Sequence, residues 1–186
     1  MKRRNLPKKQ LGKQSKQQGP RRPAGGRTVS VSRTEMVEVV LPQDANPLGF
    51  ILGGRVMHLI DIAAAIATHR HSNSLTVTAS VDHVDFLNPI RVGELIVLEA
   101  QVNRVFKTSM EVGVKVFSEN FLTGERKHTT SAYLTFVAID GNRMPHPVPP
   151  LILQTDEERR RHREAGLRRK ARLAARKKDG HRFGGL

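Results

Sequence analysis

One stretch of this chain has helical periodicity and length together, and it stands among segments patterned as strands. The run "GRVMHLIDIAAAIATHR", residues 54–70, places Val56, Ile60, Ala63, Ala64 and Ala67 near one face of a helix. Alanines there allow close approach to whatever covers that face. Before it, "TVSVSRTEMVEVVL" alternates as a first strand, and "PQDANPLG" breaks that strand with two prolines, Asn46 and Gly49. After it come "SLTVTASVDHVDF", "ELIVLEAQVNRVFK", "SMEVGVKVFSEN" and "KHTTSAYLTFVAID", all rich in Val, Thr, Ile or aromatic residues. One strand, one long helix and four long strands fit an α+β domain in which an antiparallel sheet carries a helix across one face.

The body so defined is flanked by charge. Residues 1–34 hold 11 Lys or Arg and no acid, and residues 155–186 hold 12 basic against 5 acidic residues. The stretch between them has 9 basic and 12 acidic residues, so the net charge of +15 belongs to the tails. Residues 1–28 combine Lys, Arg, Gln, Gly and Pro with almost nothing apolar, which predicts a disordered basic tail. Residues 155–186 predict a solvated basic helix with a sparse apolar stripe, opened by a capping box from Thr155 to Glu158. Such a helix gains a fixed position only against a partner or the body.

Several chemistries lack their residues. There is no cysteine for disulfide or thiol chemistry, no apolar run near 18 residues, no glycine-rich nucleotide cradle and no GxSxG elbow. The eight histidines form no HExxH pattern, and His69 and His71 flank a helix end, so no metal site and no cofactor are expected. The opening "MKRRNLPKKQLGKQ" has no apolar segment behind its charges, which makes the cytoplasm the expected compartment. The tail charge is enough for salt-dependent contact with polyanions. A basic-tailed nucleic-acid-binding or scaffolding protein is therefore the rival reading, although seven Phe, one Tyr and no Trp offer little for base stacking.

Around the start of the helix the residue types point to chemistry. Gly53 and Gly54 precede it, and unpaired N–H groups of a first turn hold anions or a developing oxyanion. Asp61 lies two turns on, between Ile60 and Ile62, where a carboxylate is either paired or kept for reaction. Asn46 can orient water or a carbonyl, or can serve its own turn. His58 could share the face of Asp61 as a base or be an ordinary helix histidine.

Taken in order, "DANPLGFILGGRVMHLIDIAAAIATHRH", "TASVDHVDFLNPIRVGELIVLEAQV", "TSMEVGVKVFSEN" and "FVAIDGNRMPHPVP" resemble the hotdog-fold acyl-CoA thioesterases of the cytosolic acyl-CoA hydrolase type, the YciA-like group. The resemblance runs over residues 33–150. It implies a hotdog fold, a long central helix wrapped by an antiparallel sheet, paired edge to edge into a homodimer and commonly into a trimer of dimers. It implies hydrolysis of acyl-CoA to a fatty acid and coenzyme A, with Asn46 and Asp61 working at one site built from two protomers. Within that frame Asp61 acts as general base or as nucleophile. The backbone N–H of Gly54 or Arg55 polarises the thioester. Arg55, Arg91, Lys107 and Arg126 are candidate partners of the coenzyme A phosphates, and Thr108 and Ser109 match a hydroxyl-bearing turn near the pantetheine tunnel.

Overall fold

In the computed structural model, residues 25–178 are described. Five antiparallel strands form one sheet: β2 (Thr34–Val39), β3 (Leu75–Val81), β4 (Leu95–Val105), β5 (Ser109–Glu119) and β6 (Arg126–Ile139). Their order across the sheet is β2-β4-β5-β6-β3, so β2 and β3 are the two edges. The helix α1 (Gly53–Ser72) crosses the inner face, its 20 residues spanning about 30 Å. Val56, Leu59, Ile60, Ala63, Ala64 and Ala67 on α1 are buried against Leu98, Met110, Val112, Val114, Leu134 and Phe136 of the sheet. The apolar face anticipated from periodicity is thus the packed face. At the far end Asn73 adopts a left-handed conformation and its N–H caps the carbonyl of His69, which stops the helix.

The outer face carries a second helix. Side chains alternate across β5 and β6, so Met110 and Val112 pack under α1 while Ser109 and Glu111 face the other way. Helix α2 (Asp156–Lys178) lies on that outer face. It starts in a reciprocal cap: Glu158 N–H donates to Thr155 Oγ1, and Glu158 Oε2 accepts from the N–H groups of Gln154 and Thr155. Its docking is polar. Arg168 donates to Oε1 of the fully buried Glu111 at 2.6 Å and stacks 3.6 Å over the Tyr133 ring. Arg172 grips both carboxylate oxygens of Asp82, Arg169 lies 3.9 Å over the Phe106 ring, and Arg104 donates to the carbonyl of His162. Ala165 is the buried apolar residue of the helix, whereas Leu167 and Leu173 remain exposed. Much of the basic character of this segment is therefore turned inward. Residues 179–186 of the expected C-terminal tail lie outside the described residues.

The other expectations about the ends change in detail. Residues 1–24 of the predicted disordered tail lie outside the described residues, but Arg27–Thr28 form a short strand, β1. It pairs in parallel with β7 (Leu151–Ile152), and the Arg27 guanidinium donates to the carbonyl of Arg70 at the end of α1. The first strand is also shorter than its alternation predicts. Residues Val29–Ser32 form a 3₁₀ turn because Ser32 Oγ donates to the Val29 carbonyl and accepts from the Val102 N–H, offering the backbone an alternative to the ladder. Among the described residues no helix is long and apolar enough to cross a membrane.

Three irregularities interrupt the ladders. In the last of them, β5 pairs Val116 with Thr130 and Phe117 with His128, so Thr129 is the extra residue of a bulge in β6.

Candidate active site

The loop between β2 and α1 is held by Asn46. Its side-chain Oδ1 accepts the N–H groups of Leu48 and Phe50, at 3.0 and 3.2 Å, while its backbone N–H donates to the Phe50 carbonyl. Gly49, at φ +78°, supplies the left-handed residue that closes this turn. The amide Nδ2 of Asn46 makes no hydrogen bond to a described residue, so it can donate to a ligand. A bridge from Ala45 to Ile51 closes the loop on itself, and one from Phe50 to Arg91 ties it to the segment that leads into β4.

Two further donors lie beside it. The N–H groups of Gly53 and Gly54 open α1 without a side-chain cap and without a backbone acceptor among the described residues. The Phe86 ring stands 3.6 Å from where a Cβ on Gly53 would sit, and a Cβ on Gly54 would meet open space. Asn46, Gly53, Val56, Phe86, Ile90 and Thr129 belong to the lining of a cleft of about 350 Å³ at this end of the helix. Its walls are mostly apolar and its few polar groups converge at the helix start, which is the usual character of a small-molecule site.

Asp61 does not line that cleft. It lies eight residues along α1 from Gly53, about 12 Å down the helix axis. Its carboxylate is half-buried, and Oδ1 accepts a 2.7 Å hydrogen bond from Thr78 Oγ1 on β3. Thr78 is a functional candidate that the residue pattern alone does not single out. Its only signal is a hydroxyl in the alternation of "LTVTASV", which becomes meaningful once β3 is known to flank α1. Phe86 and Thr129 are likewise invisible beforehand, because a loop and a bulge bring them to the cleft. His58 projects outward and is exposed.

The candidate coenzyme A residues divide into groups. Arg55 is spent on Glu38 at 2.8 Å and Asp44 at 3.2 Å. Arg126 pairs with Glu119 and lies 3.7 Å from Glu99 at the β5–β6 hairpin. Arg91 is exposed near the cleft, its N–H bonded to Glu94 Oε2. Lys107, Thr108 and Ser109 sit at the β4–β5 turn, at the opposite end of the sheet from Asn46. Lys107 is exposed there, while Ser109 is buried and its hydroxyl accepts from Arg169. A single chain therefore brings together Asn46, Gly53, Gly54 and Arg91, and keeps Asp61, Lys107, Thr108 and Ser109 apart from them. Among the described residues no cluster of His, Asp or Glu has the arrangement of a metal site.

With this geometry in hand, known proteins give the family. The profile of the Thioesterase superfamily matches residues 48–124. The uncharacterized acyl-CoA thioester hydrolase YkhA of Bacillus subtilis is 45% identical over 126 residues, which cover 68% of this chain and 73% of that one. This chain belongs to the acyl-CoA thioester hydrolases of the thioesterase superfamily. The hydrolase also superposes on solved relatives with the same hotdog architecture. A hexameric acyl-CoA thioesterase, 45% identical, aligns with a TM-score of 0.78 over 81% of this chain and 97% of that one. The acyl-CoA hydrolase of Staphylococcus aureus, solved with butyryl coenzyme A and coenzyme A, is 34% identical and aligns at 0.78 over 83% and 94%. Variants of the S. aureus enzyme with an Asp, a Thr or an Asn replaced by Ala have also been solved. The intervals between those three residues match the intervals between Asn46, Asp61 and Thr78 in this hydrolase.

Proposed function

We propose that this hydrolase cleaves acyl-CoA at a site shared by two protomers, Asn46 and the N-terminal N–H groups of α1 coming from one and Asp61 from the other. The observation that carries this reading is the separation within one chain: the unmet donors face the cleft, while the Thr78-held carboxylate lies two turns away. The β3 edge supports it, because Leu75, Val77 and Val81 are exposed along a strand with one side unpaired. Antiparallel pairing of two β3 edges about a two-fold axis joins the sheets and brings each Asp61 toward the partner's cleft. The hexameric relative makes a trimer of such dimers the natural assembly to test.

The chemistry follows from the groups present. The thioester carbonyl sits at the helix start, where Gly53 and Gly54 N–H groups and the Asn46 amide polarise it. Asp61 takes a proton from water as the water oxygen attacks the carbonyl carbon; a direct carboxylate attack, followed by hydrolysis of the resulting anhydride, gives the same products. The tetrahedral intermediate collapses by breaking the C–S bond. Coenzyme A leaves as the thiol after the sulfur gains a proton, and the acyl group leaves as the acid. Arg91 and Lys107, both exposed, suit the coenzyme A phosphates better than Arg55 and Arg126, whose charges meet carboxylates in the body. Thr108 belongs with Lys107 in this assignment, whereas Ser109 is already engaged by Arg169. The cytoplasm is the proposed compartment, and contact of the tails with polyanions is incidental to the reaction.

The test is thiol release from a panel of acyl-CoA thioesters. Asp61→Ala and Asn46→Ala each lower turnover by at least ~100-fold with the fold retained. Mixing the two inactive variants under subunit exchange restores about a quarter of wild-type activity, since half of the random dimers carry one intact site of two. Full activity of Asp61→Ala removes the mechanism, and no recovery on proven exchange removes the shared site.

A further inference from the structure

Four cations gather where α2 meets the end of β4 and the turn that follows it, and none has a carboxylate partner among the described residues. Arg104 and Arg169 share one aromatic ring, their Cζ atoms lying 5.5 and 3.9 Å from the centre of Phe106. Arg104 also donates to the His162 carbonyl and Arg169 to Ser109 Oγ, so their other partners are neutral. Lys107 follows Phe106 in the turn and is exposed. Arg163 is exposed on α2 and borders, with Arg104, Gly166 and Leu167, an open groove of about 600 Å³. The acids of this surface are engaged by other arginines: Glu164 by Arg160, Glu111 by Arg168 and Asp82 by Arg172.

Like charges held this close repel, and the chain gives up helix stability to hold them. A Cβ at position 166 would collide with the Arg104 guanidinium, so glycine stands in mid-helix, where it is weaker than alanine. Burial, and then the charges of Arg172 and Arg104, hold the Arg169 guanidinium below its usual value. Uncompensated cations in a fixed arrangement fit a multiply charged anion, and planar guanidiniums match the edge of a phosphate. The turn is also the rim between the two faces of the sheet: Ser109 faces α2, while Met110 packs under α1. A nucleotide held at the rim can send its pantetheine arm to the inner face.

We infer that Arg104, Arg163 and Arg169, together with Lys107, form a phosphate-binding site at the junction of α2 and the β4–β5 turn, and that it takes the nucleotide phosphates of the acyl-CoA substrate. This rests on the thioesterase reading above, which brings those phosphates to Lys107. It gives α2 a part in substrate binding, separate from any contact of the tails with long polyanions.

The experiment has two arms. Calorimetric titration with 3′,5′-ADP measures the site without turnover. Arg169→Gln and Arg163→Gln each weaken binding about tenfold or more, the worth of one hydrogen bond to a charged group. Arg159→Gln, which removes a charge of the same helix that Asp156 already meets, changes it by less than about twofold. The second arm compares butyryl-CoA with butyryl-pantetheine, which lacks the nucleotide. Both variants lower the ratio of the two kcat/KM values about tenfold, through KM for butyryl-CoA. The ratio is indifferent to a loss of folded protein, and the exposed Arg163 side chain gives a second variant should Arg169→Gln fold poorly. Unaltered 3′,5′-ADP affinity in both variants overturns the site. Lost affinity with an unaltered ratio gives the site to a free nucleotide and overturns the substrate assignment. A wild type that hydrolyses no thioester, while its variants still lose 3′,5′-ADP, removes the thioesterase reading and leaves the phosphate site standing.

Discussion

Replacing Arg168 with alanine removes the cation that Glu111 needs. Glu111 is fully buried beneath α2, and the Arg168 side chain is 23% exposed. Nε and Nη2 of Arg168 both donate to Oε1, at 3.1 and 2.6 Å, and Oε2 has no partner among the described residues. Removing one member of a buried pair strands the other, at a cost of about 3–5 kcal/mol. Access of water to the partly exposed arginine position favours the lower end, so about 3 kcal/mol is expected. For a domain of this size that is a fall in Tm of roughly 6–12 °C. Urea denaturation at fixed protein concentration measures it as a lower midpoint at an unchanged slope. Two comparisons isolate the cause. Arg160→Ala, which removes an exposed network with Glu157 and Glu164, leaves the midpoint unchanged within error. The double variant Arg168→Met with Glu111→Leu recovers most of the loss, because an apolar pair needs no counter-charge. A midpoint for Arg168→Ala within about 1 kcal/mol of wild type refutes the account, since solvated surface pairs give that value.

Two further outcomes follow from single side chains. Thr78→Val deletes the hydrogen bond to Asp61 without changing side-chain size much, and turnover of acyl-CoA falls about tenfold while Tm stays within 2–3 °C or so; undiminished turnover shows that Thr78 does not position the carboxylate. Burial holds the His71 imidazole below its usual 6.5, against the opposing hydrogen bond to the Pro149 carbonyl and with the Arg27 charge adding to the lowering. The unfolded chain therefore takes up that proton first, and the stabilisation present above about pH 6.5 is lost as pH falls through the lower folded value. Denaturation midpoints across pH 5–8 show a steeper acid-side decline in wild type than in His71→Gln, and equal slopes contradict the assignment.

The parts of this structure readable from sequence are those set by local periodicity. Val56, Ile60, Ala63, Ala64 and Ala67 announce the packed face of α1 because helical spacing puts them in line, and all five are buried. Four later strands follow from β-branched runs between turn residues. What periodicity misses is decided over distance. Ser32 turns an alternating segment into a 3₁₀ turn through a bond to Val102, seventy residues away. Arg172 finds Asp82 across ninety residues, and nothing local marks those two as partners. At the site, Asn46, Gly53, Gly54 and Asp61 stand out by residue type in unusual company. Thr78 gains meaning only once β3 lies against α1, and Thr129 only once a bulge has turned it. Arg55 and Arg126 look available for phosphates until Glu38, Asp44 and Glu119 are seen beside them.

The polar seat of α2 also sets an order of events. Residues 156–178 are synthesised after every strand of the sheet, and they dock onto groups that those strands have to bring together first. Glu111 comes from β5, Asp82 from the end of β3 and Tyr133 from β6. Until the three are adjacent, the arginines of α2 have no seat to recognise. The sheet and α1 can collapse on their own apolar core while Glu111 still faces water. The helix then closes over it as the last step, exchanging solvent for guanidinium around a carboxylate. Refolding would thus end in a phase slowed by salt, because ionic strength screens the attraction that brings α2 in.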